Sequence, residues 1–377
     1  MSKEDNLCCP VLFPSNDLSK KLSLKYGYKE WMISRFLNYV PNPEELLEYI
    51  DKRENLHTYI RTNTLKISPR VLKKRLLEKG FILSDTILDE VFEIINPSSC
   101  TPAPAPAEVS SSQMYHNVLS QNSFSCVQKH ESKPPKSMLP SLGSTIEYLR
   151  GYYYIQDLSS CIAVNELEIL YSDNLVVLDM AAAPGGKTTH IAQRLNNKGL
   201  IVACESKPQR LSSLVFNLSR CFVKNTTVFN MRSEEVKNLG IKFDRVLLDA
   251  PCTCEGIIQK DISRKKSRTS RDLEICSDLQ KKMIIAGFEV LKPNGLMIYS
   301  TCSFAPEENE MVVQHLIDNF RDAQIEPVEL GTEGLTKFHE FHFVEEMNQT
   351  KRFYPHFHDT NGFFIAKIRK ESKSSGV

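Results

Sequence analysis

The chain has 377 residues, 41% hydrophobic and 25% charged, the mixture of a soluble globular protein with room for two domains or three. Its 47 Lys and Arg against 46 Asp and Glu leave a formal net charge of +1, which excludes attachment to nucleic acid by bulk charge though not through a local basic patch. No apolar run approaches a membrane span, the start MSKEDNLCCPVLF is no secretory signal, and 11 scattered Cys suit a reducing, intracellular compartment, nuclear or cytoplasmic, better than a disulfide framework.

In chain order, residues 16–52 carry two helical patterns, with Glu44, Leu46, Leu47, Tyr49 and Ile50 in the second. HTYIRTNTLKI (57–67) reads as a strand, VLKKRLLEKG (71–80) as an amphipathic helix stopped by Gly80, and FILSDTILDEVFEII as one or two strands. Residues 1–96 are thus expected to form a small helical and α+β module. Its Arg61, Lys66, Lys73, Lys74 and Arg75 either meet phosphate or form solvated faces. Residues 97–143, rich in Pro, Ser, Asn and Gln with Pro–Ala alternation at 102–107, read as a disordered insertion.

From 144 to 370 the texture becomes strand–helix alternation, before a flexible tail at 371–377. NLVVLDM, GLIVACE, TTVFN, FDRVLLDA, LMIYSTC and FFIAKIR read as strands, with helices at 187–195, 208–221, about 272–291 and 306–320. Continuous apolar strands alternating with helices predict an α/β domain whose parallel sheet is covered on both faces. Ligands of such sheets bind beyond the carboxyl ends of the strands.

Between the first of these strands and its helix lies Asp179-Met180-Ala181-Ala182-Ala183-Pro184-Gly185-Gly186-Lys187-Thr188. Small residues and paired glycines let a ligand approach the backbone, and the helix N-terminus offers N–H donors. A phosphate loop would need glycine where Ala181 stands, and the dinucleotide fingerprint is absent. Glu205 ends the next strand, placed for ribose hydroxyls, and Asp249 ends a third. This set describes an adenosine-type ligand without a pyrophosphate, and S-adenosylmethionine matches it. Asp249-Ala250-Pro251-Cys252 and Ser300-Thr301-Cys302-Ser303 bring two thiols to two strand ends expected to be neighbours. Cys254 makes a Cys-x-Cys with the first, but without a second pair or a His cluster no metal is expected.

AAAPGGKT (181–188), DAPC (249–252) and TCS (301–303), with YIRTNTLK (59–66), EYLRGYYYIQDLSS (147–160), PEENE (306–310) and RFYPHFHDTNGFFIAKI (352–368), resemble the RNA cytosine-5 methyltransferases, the group of the bacterial rRNA methylase, nucleolar protein 2 and NSUN proteins. The likeness covers most of residues 55–370 outside the insertion. It implies a Rossmann-like S-adenosylmethionine-dependent domain behind a smaller N-terminal α+β RNA-binding module, acting on tRNA or rRNA. It further implies Cys302 as the nucleophile that adds to cytosine C6, Cys252 as the thiol assisting product release, and Asp249 as the group beside N3. Cofactor contacts would fall on Ala181, Ala182, Ala183, Pro184, Gly185, Gly186, Lys187, Glu205, Arg210 and Asp249. Two departures stand out. Phe229-Asn230-Met231-Arg232-Ser233 replaces a run where relatives carry Asp, leaving Asn230 or Ser233 to substitute, and Cys254-Glu255-Gly256 replaces the usual small residues.

The charge that bulk composition withholds is concentrated in KDISRKKSRTSR (260–271), where six Lys or Arg face one Asp. Lys260, Arg264, Lys265, Lys266 and Arg268 are expected to follow an RNA backbone while the target base is unstacked. The expected protein is a monomeric enzyme of RNA, in the nucleus, nucleolus or cytoplasm. Its alternative is a ribosome-assembly factor that keeps the fold without turnover.

Overall fold

A computed structural model describes residues 10–95, 139–170 and 174–372. The expected insertion lies outside the described residues except for its last five positions, as does the tail beyond 372.

Three helices, not two, open the chain: α1 (Asp17–Tyr26), α2 (Glu30–Tyr39) and α3 (Pro43–Asp51). A reciprocal capping box between Asn16 and Ser19 starts α1, and Pro43 at the first position starts α3. Met32, Ile33 and Phe36 of α2 are buried with Ile258, Phe304 and Tyr354, so these helices share a core with the later part of the chain. Next come β1 (Thr58–Thr62), α4 (Pro69–Glu78), β2 (Ile82–Asp85), β3 (Val91–Ile95), α5 (Ile146–Leu149) and β4 (Tyr153–Ile155), whose strands form an antiparallel sheet in the order β2-β3-β1-β4. The small sheet therefore takes its last strand from beyond residue 144, which the sequence reading assigns to the larger domain. The strand expected over 57–67 stops at Thr62, because Asn63 turns away to donate to the carbonyls of Gly151 and Cys221.

The larger unit continues with α6 (Leu158–Asn165), β5 (Val176–Asp179), α7 (Gly186–Arg194), β6 (Leu200–Cys204), α8 (Pro208–Arg220), β7 (Thr226–Phe229), β8 (Phe243–Asp249), α9 (Arg264–Ser267), α10 (Ser270–Glu289), β9 (Leu291–Thr301) and α11 (Glu310–Asn319). The short strands β10 (Ala323–Glu326), β11 (Thr332–Glu333), β12 (Lys337–Phe338), β13 (Phe341–His342) and β14 (Lys351–Phe353), the short helix α12 (Pro355–His358) and β15 (Phe363–Lys370) complete it. The main sheet runs β11-β14-β15-β9-β8-β5-β6-β7, with β10 also on β15. Strands β5 to β9 are parallel, but β15 pairs antiparallel with β9, Phe364 opposite Thr301. The expectation of a wholly parallel sheet is thus corrected to a mixed one: the chain enters β15 at the rim where β9 ends and has to run back.

Adjacent strand residues face opposite cores, as the two-residue period requires. Leu178, Val246 and Leu248 pack with Ile284, Phe288 and Leu316 on one face, and Val177, Leu247 and Ile298 with Ile162 and Ile191 on the other. Order reverses beside β5, whose neighbours are β6 and β8, and the crevice of such a sheet opens there. In one buried ion pair the Arg352 Nε donates to Glu310 Oε1 at 2.6 Å, both side chains almost fully enclosed. Removing the cation strands a carboxylate in the core, so Arg352→Met is expected to cost about 3–5 kcal/mol, read by urea unfolding.

Candidate active site

The glycine turn between β5 and α7 is a cradle built by backbone. Gly185 caps α7 at φ +104°, a conformation that strains any side chain, and a Cβ there would press on Leu214 at 3.2 Å. The turn is closed by the Gly185 N–H on the Ala182 carbonyl at 2.7 Å, and the Ala183–Pro184 bond is cis. Thr188 donates to Asp179 Oδ2 at 2.7 Å, while Asp179 Oδ1, equally buried, has no hydrogen-bond partner among the described residues. Burial lifts the Asp179 carboxyl to about 6, the Thr188 hydrogen bond pulling the other way. Glu205, 3% exposed, accepts from the Lys207 N–H at 2.8 Å and lies 3.4 Å from Arg210, whose guanidinium also donates to the Ala183 carbonyl. A carboxylate oxygen without a hydrogen-bond partner, a second acid and a helix N-terminus around a turn of small residues fit a small cationic, hydroxyl-bearing ligand such as S-adenosylmethionine. Asn230 is exposed at this rim with its amide on the Glu205 carbonyl, whereas Ser233 is buried against the Met180 carbonyl.

Across β5, the neighbouring strands β8 and β9 pair Asp249 with Ser300 and carry the two cysteine loops side by side. Cys252 and Cys302 Sγ are 3.3 Å apart, and Cys252 Sγ lies 3.8 Å from Cys254 Sγ. All three are half-buried. Asp249 accepts from Lys187 Nζ at 2.7 Å and from the Ser300 hydroxyl at 3.0 Å. Burial disfavours the Lys187 cation, but Asp249 beside it wins and its pKa lies above the usual value. Within the thiol cluster the hydrogen bond with Cys252 favours the Cys302 thiolate, yet Cys254 and burial outweigh it and hold the Cys302 thiol well above its ordinary range. Hydrogen bonds from Cys252 and Cys302, helped by Arg264, pull Cys254 down instead.

The loops are pinned by residues 306–310, which the sequence suggests as the start of a helix and as part of a likeness; the helix begins only at Glu310, and the residues before it form a short turn. Glu308 accepts from the Thr253 N–H at 2.8 Å and its hydroxyl at 2.5 Å, next to Cys252. Asn309 accepts from the Thr301 hydroxyl at 2.6 Å and donates to the Ser303 carbonyl at 3.0 Å, flanking Cys302. Gly256 ties the loops together by donating to the Cys302 carbonyl at 2.9 Å, and a Cβ on it would collide with Gly362 at 2.1 Å. Glu255 turns away from the thiols to the Tyr39 hydroxyl at 3.4 Å and is buried there, so it does not crowd the base side of the site.

The basic residues divide. Lys260 and Lys266 are exposed, the former 3.2 Å from Asp157, and Arg264 and Arg268 are half-buried, bound to Asp261 and to the Thr253 carbonyl. Lys265 departs from the expected ladder. It is buried, donating to the Tyr26 carbonyl at 3.0 Å and to Asp51 at 3.3 Å, because α1 and α3 pack over it. In the small sheet Arg61 is fully buried, donating to the Gly186 carbonyl, Gln156 and Thr189, and Lys66 holds the carbonyls of Arg150 and Arg220. Lys73 and Arg75 pair with Asp85 and Glu147. These cations clamp the small sheet; Arg61, fully buried, is out of reach of a phosphate, whereas Lys66 stays exposed.

A strand-order reversal, a turn of small residues and carboxylates on three strand ends define a Rossmann-like methyltransferase fold. The sequence model of the 16S rRNA methyltransferase RsmB/F family matches residues 167–369, and the chain belongs to that family. It is 34% identical over 365 residues to the 26S rRNA (cytosine-C(5))-methyltransferase nsun-1 of Caenorhabditis elegans, covering 95% of this chain and 49% of that protein. Against the tRNA (cytosine(72)-C(5))-methyltransferase of Pyrococcus horikoshii it is 41% identical, covering 63% of this chain and 57% of that one. The chain thus spans about half the length of these curated relatives. The crystal structure of a methyltransferase homologue from Pyrococcus horikoshii superposes with a TM-score of 0.74 at 35% identity, over 94% of this chain and 99% of that one. No helix among the described residues is long and apolar enough to cross a membrane.

Burial lifts the Glu255 carboxyl from 4.5 to about 8, Arg35 opposing and Glu308 and Glu307 adding to the rise. The folded chain then keeps a proton that the unfolded chain releases, so this stabilising difference is full below pH 4.5 and lost as pH rises through 8. Glu255→Gln is expected to flatten the fall in unfolding free energy across that interval, measured by denaturant titration at several pH values.

Proposed function

We propose that the chain methylates cytosine C5 in RNA with S-adenosylmethionine, through a covalent adduct between Cys302 and C6. The observation that carries this reading is the pair of sulfurs 3.3 Å apart on adjacent strand ends, beside Asp249 and Lys187 and across β5 from the glycine cradle. When bound, the cofactor supplies an electrophilic sulfonium methyl. The turn 181–187 with Glu205, Arg210 and Asp249 would hold it, Glu205 being placed for its ribose.

Cytosine C5 is a poor nucleophile until C6 is attacked. Cys302 gives up its proton to solvent, its thiolate forms the S–C6 bond, and the ring's electron pair is pushed toward C5, which takes the methyl group as the neutral thioether departs. Cys252, once its own proton has gone to solvent, is placed as a thiolate to accept the C5 proton, after which the C5–H electron pair restores the ring double bond and the S–C6 bond breaks to return the Cys302 thiolate. Asp249 already accepts from Lys187 and Ser300, so it acts on the base as an acceptor for the exocyclic amine, and Lys187 offsets negative charge gathering on the ring. Since the Cys302 thiol is held above its usual range, single-turnover rates should rise with pH through neutrality.

Cys302→Ala is expected to abolish 5-methylcytosine, read by bisulfite sequencing, whereas Cys252→Ala should leave a protein–RNA adduct that survives a denaturing gel. A Cys252→Ala chain that folds and forms no adduct would remove the assigned roles.

The names of the family and of both relatives point to rRNA or tRNA as substrate, and the exposed Lys260 and Lys266, with Arg264 and Arg268, offer the phosphate contacts. Lys266→Ala should weaken RNA binding severalfold and lower the salt slope by roughly one, measured by filter binding over a range of salt. Lys265→Ala should act on stability and leave that slope intact.

A further inference from the structure

The third thiol of the cluster has no part in the chemistry above, and its placement suggests one. We propose that Cys252, Cys254 and Cys302 together form a binding site for a thiophilic divalent ion of the zinc class, which holds the nucleophile out of reaction. The three Sγ atoms lie within 4.8 Å of one another, two of the separations being 3.3 and 3.8 Å. Zinc–sulfur bonds of about 2.3 Å in tetrahedral geometry set thiolates about 3.8 Å apart, so the ion is accommodated by a small opening of the Cys252–Cys302 contact. Sequence spacing hides the site: Cys252 and Cys254 come from one loop, and the third ligand arrives from the neighbouring strand.

Three other observations fit. Cys254 holds φ +63°, a conformation that costs a side chain but turns this one back toward Cys252. All three residues are half-buried and not enclosed in the core, unlike Cys161, Cys204 and Cys221. Three thiolates around a divalent ion leave one negative charge, and Arg264 beside Cys254 and Lys187 near Cys302 are placed to offset it. Each thiol protonated beforehand loses its proton to solvent on binding, so uptake of the ion should strengthen with pH.

Occupancy and catalysis exclude one another, since a metal-bound Cys302 cannot add to C6; that consequence rests on the methylation reading, the site itself does not. The test uses the full chain, freed of metal by a chelator and kept reduced by a phosphine so that no disulfide forms. Titration with Cd2+ is followed by the ultraviolet thiolate-to-metal absorbance. One ion should be lost, or bound at least tenfold more weakly, in Cys254→Ser and in Cys302→Ser, and be unaffected in Cys276→Ser, whose thiol lies outside the cluster. Equal binding by wild type, Cys254→Ser and Cys302→Ser overturns the site. With Zn2+ added, 5-methylcytosine formation on RNA should fall in wild type, recover with chelator and fall less in Cys254→Ser; undiminished methylation at saturating ion overturns the blocking role. A chain that binds the ion through these cysteines yet neither methylates RNA nor, as Cys252→Ala, forms an adduct keeps the metal site and defeats the methylation reading.

Discussion

Two half-buried sulfurs from separate loops can sit 3.3 Å apart only if both loops are held, and the segment 306–310 holds them. Glu308 grips the backbone and side chain of Thr253, while Asn309 bridges Thr301 and Ser303. The outer acids anchor the segment itself: Glu307 takes both guanidinium nitrogens of Arg35 at 2.9 and 2.6 Å, and Glu310 takes Arg352. Because Arg35 belongs to α2, the N-terminal helices are part of what positions the cysteines. A carboxylate in such a core is tolerated only with its partners in place, so the segment has one stable arrangement. Burial raises Glu308 to about 7, with Ser303, Thr253 and Gln280 pulling it back. The anchor is stiff at the expense of a group close to neutrality.

The same logic places charge around the crevice. Asp249 and Lys187 neutralise each other at 2.7 Å, so the rim beside the thiols has a fixed pair of opposite charges and little net field. Asp179 and Glu205 lie on the other side of the reversal in strand order, at the ends of β5 and β6. Negative charge thus gathers on the β5–β6 side, while the β8–β9 side is close to neutral. The division follows from topology, because β5 lies between β6 and β8 and the three acids all stand at carboxyl ends of strands.

How much of this could be read beforehand differs by element. β5 to β9 and their helices were legible because each is an apolar run bounded by turn residues, and the strand-end motifs followed from them. β10 to β14 were not, since strands of two to four residues carry no periodicity above noise; β10 and β14 pair with β15, β11 with β14, and, among the described residues, β12 only with β13. The antiparallel direction of β15 was equally hidden: FFIAKIR reads the same whichever way it runs. Sequence motifs marked the glycine turn, Asp249 and both cysteines, but could not show that Asp179 keeps an unpaired oxygen or that Cys254 joins the pair, because both depend on side chains meeting across the sheet.

Charge was the most misleading signal. Arg61, Lys66 and Lys265 look like phosphate ligands in one dimension, yet each donates to at least one backbone carbonyl of another element. Two of these carbonyls, of Tyr26 and Arg220, end helices, where the last acceptors have no partner within the helix and a long cation can reach them. Arg61 shows the consequence for the site. Its guanidinium bonds the Gly186 carbonyl and the Thr189 hydroxyl of α7, so the small sheet sets where the helix N-terminus points. A strand that resembles part of an RNA-binding module is, at this residue, a brace for the cradle. The cations left exposed, Lys260 and Lys266, instead follow the Cys252 loop, on the side of the molecule that carries the paired sulfurs.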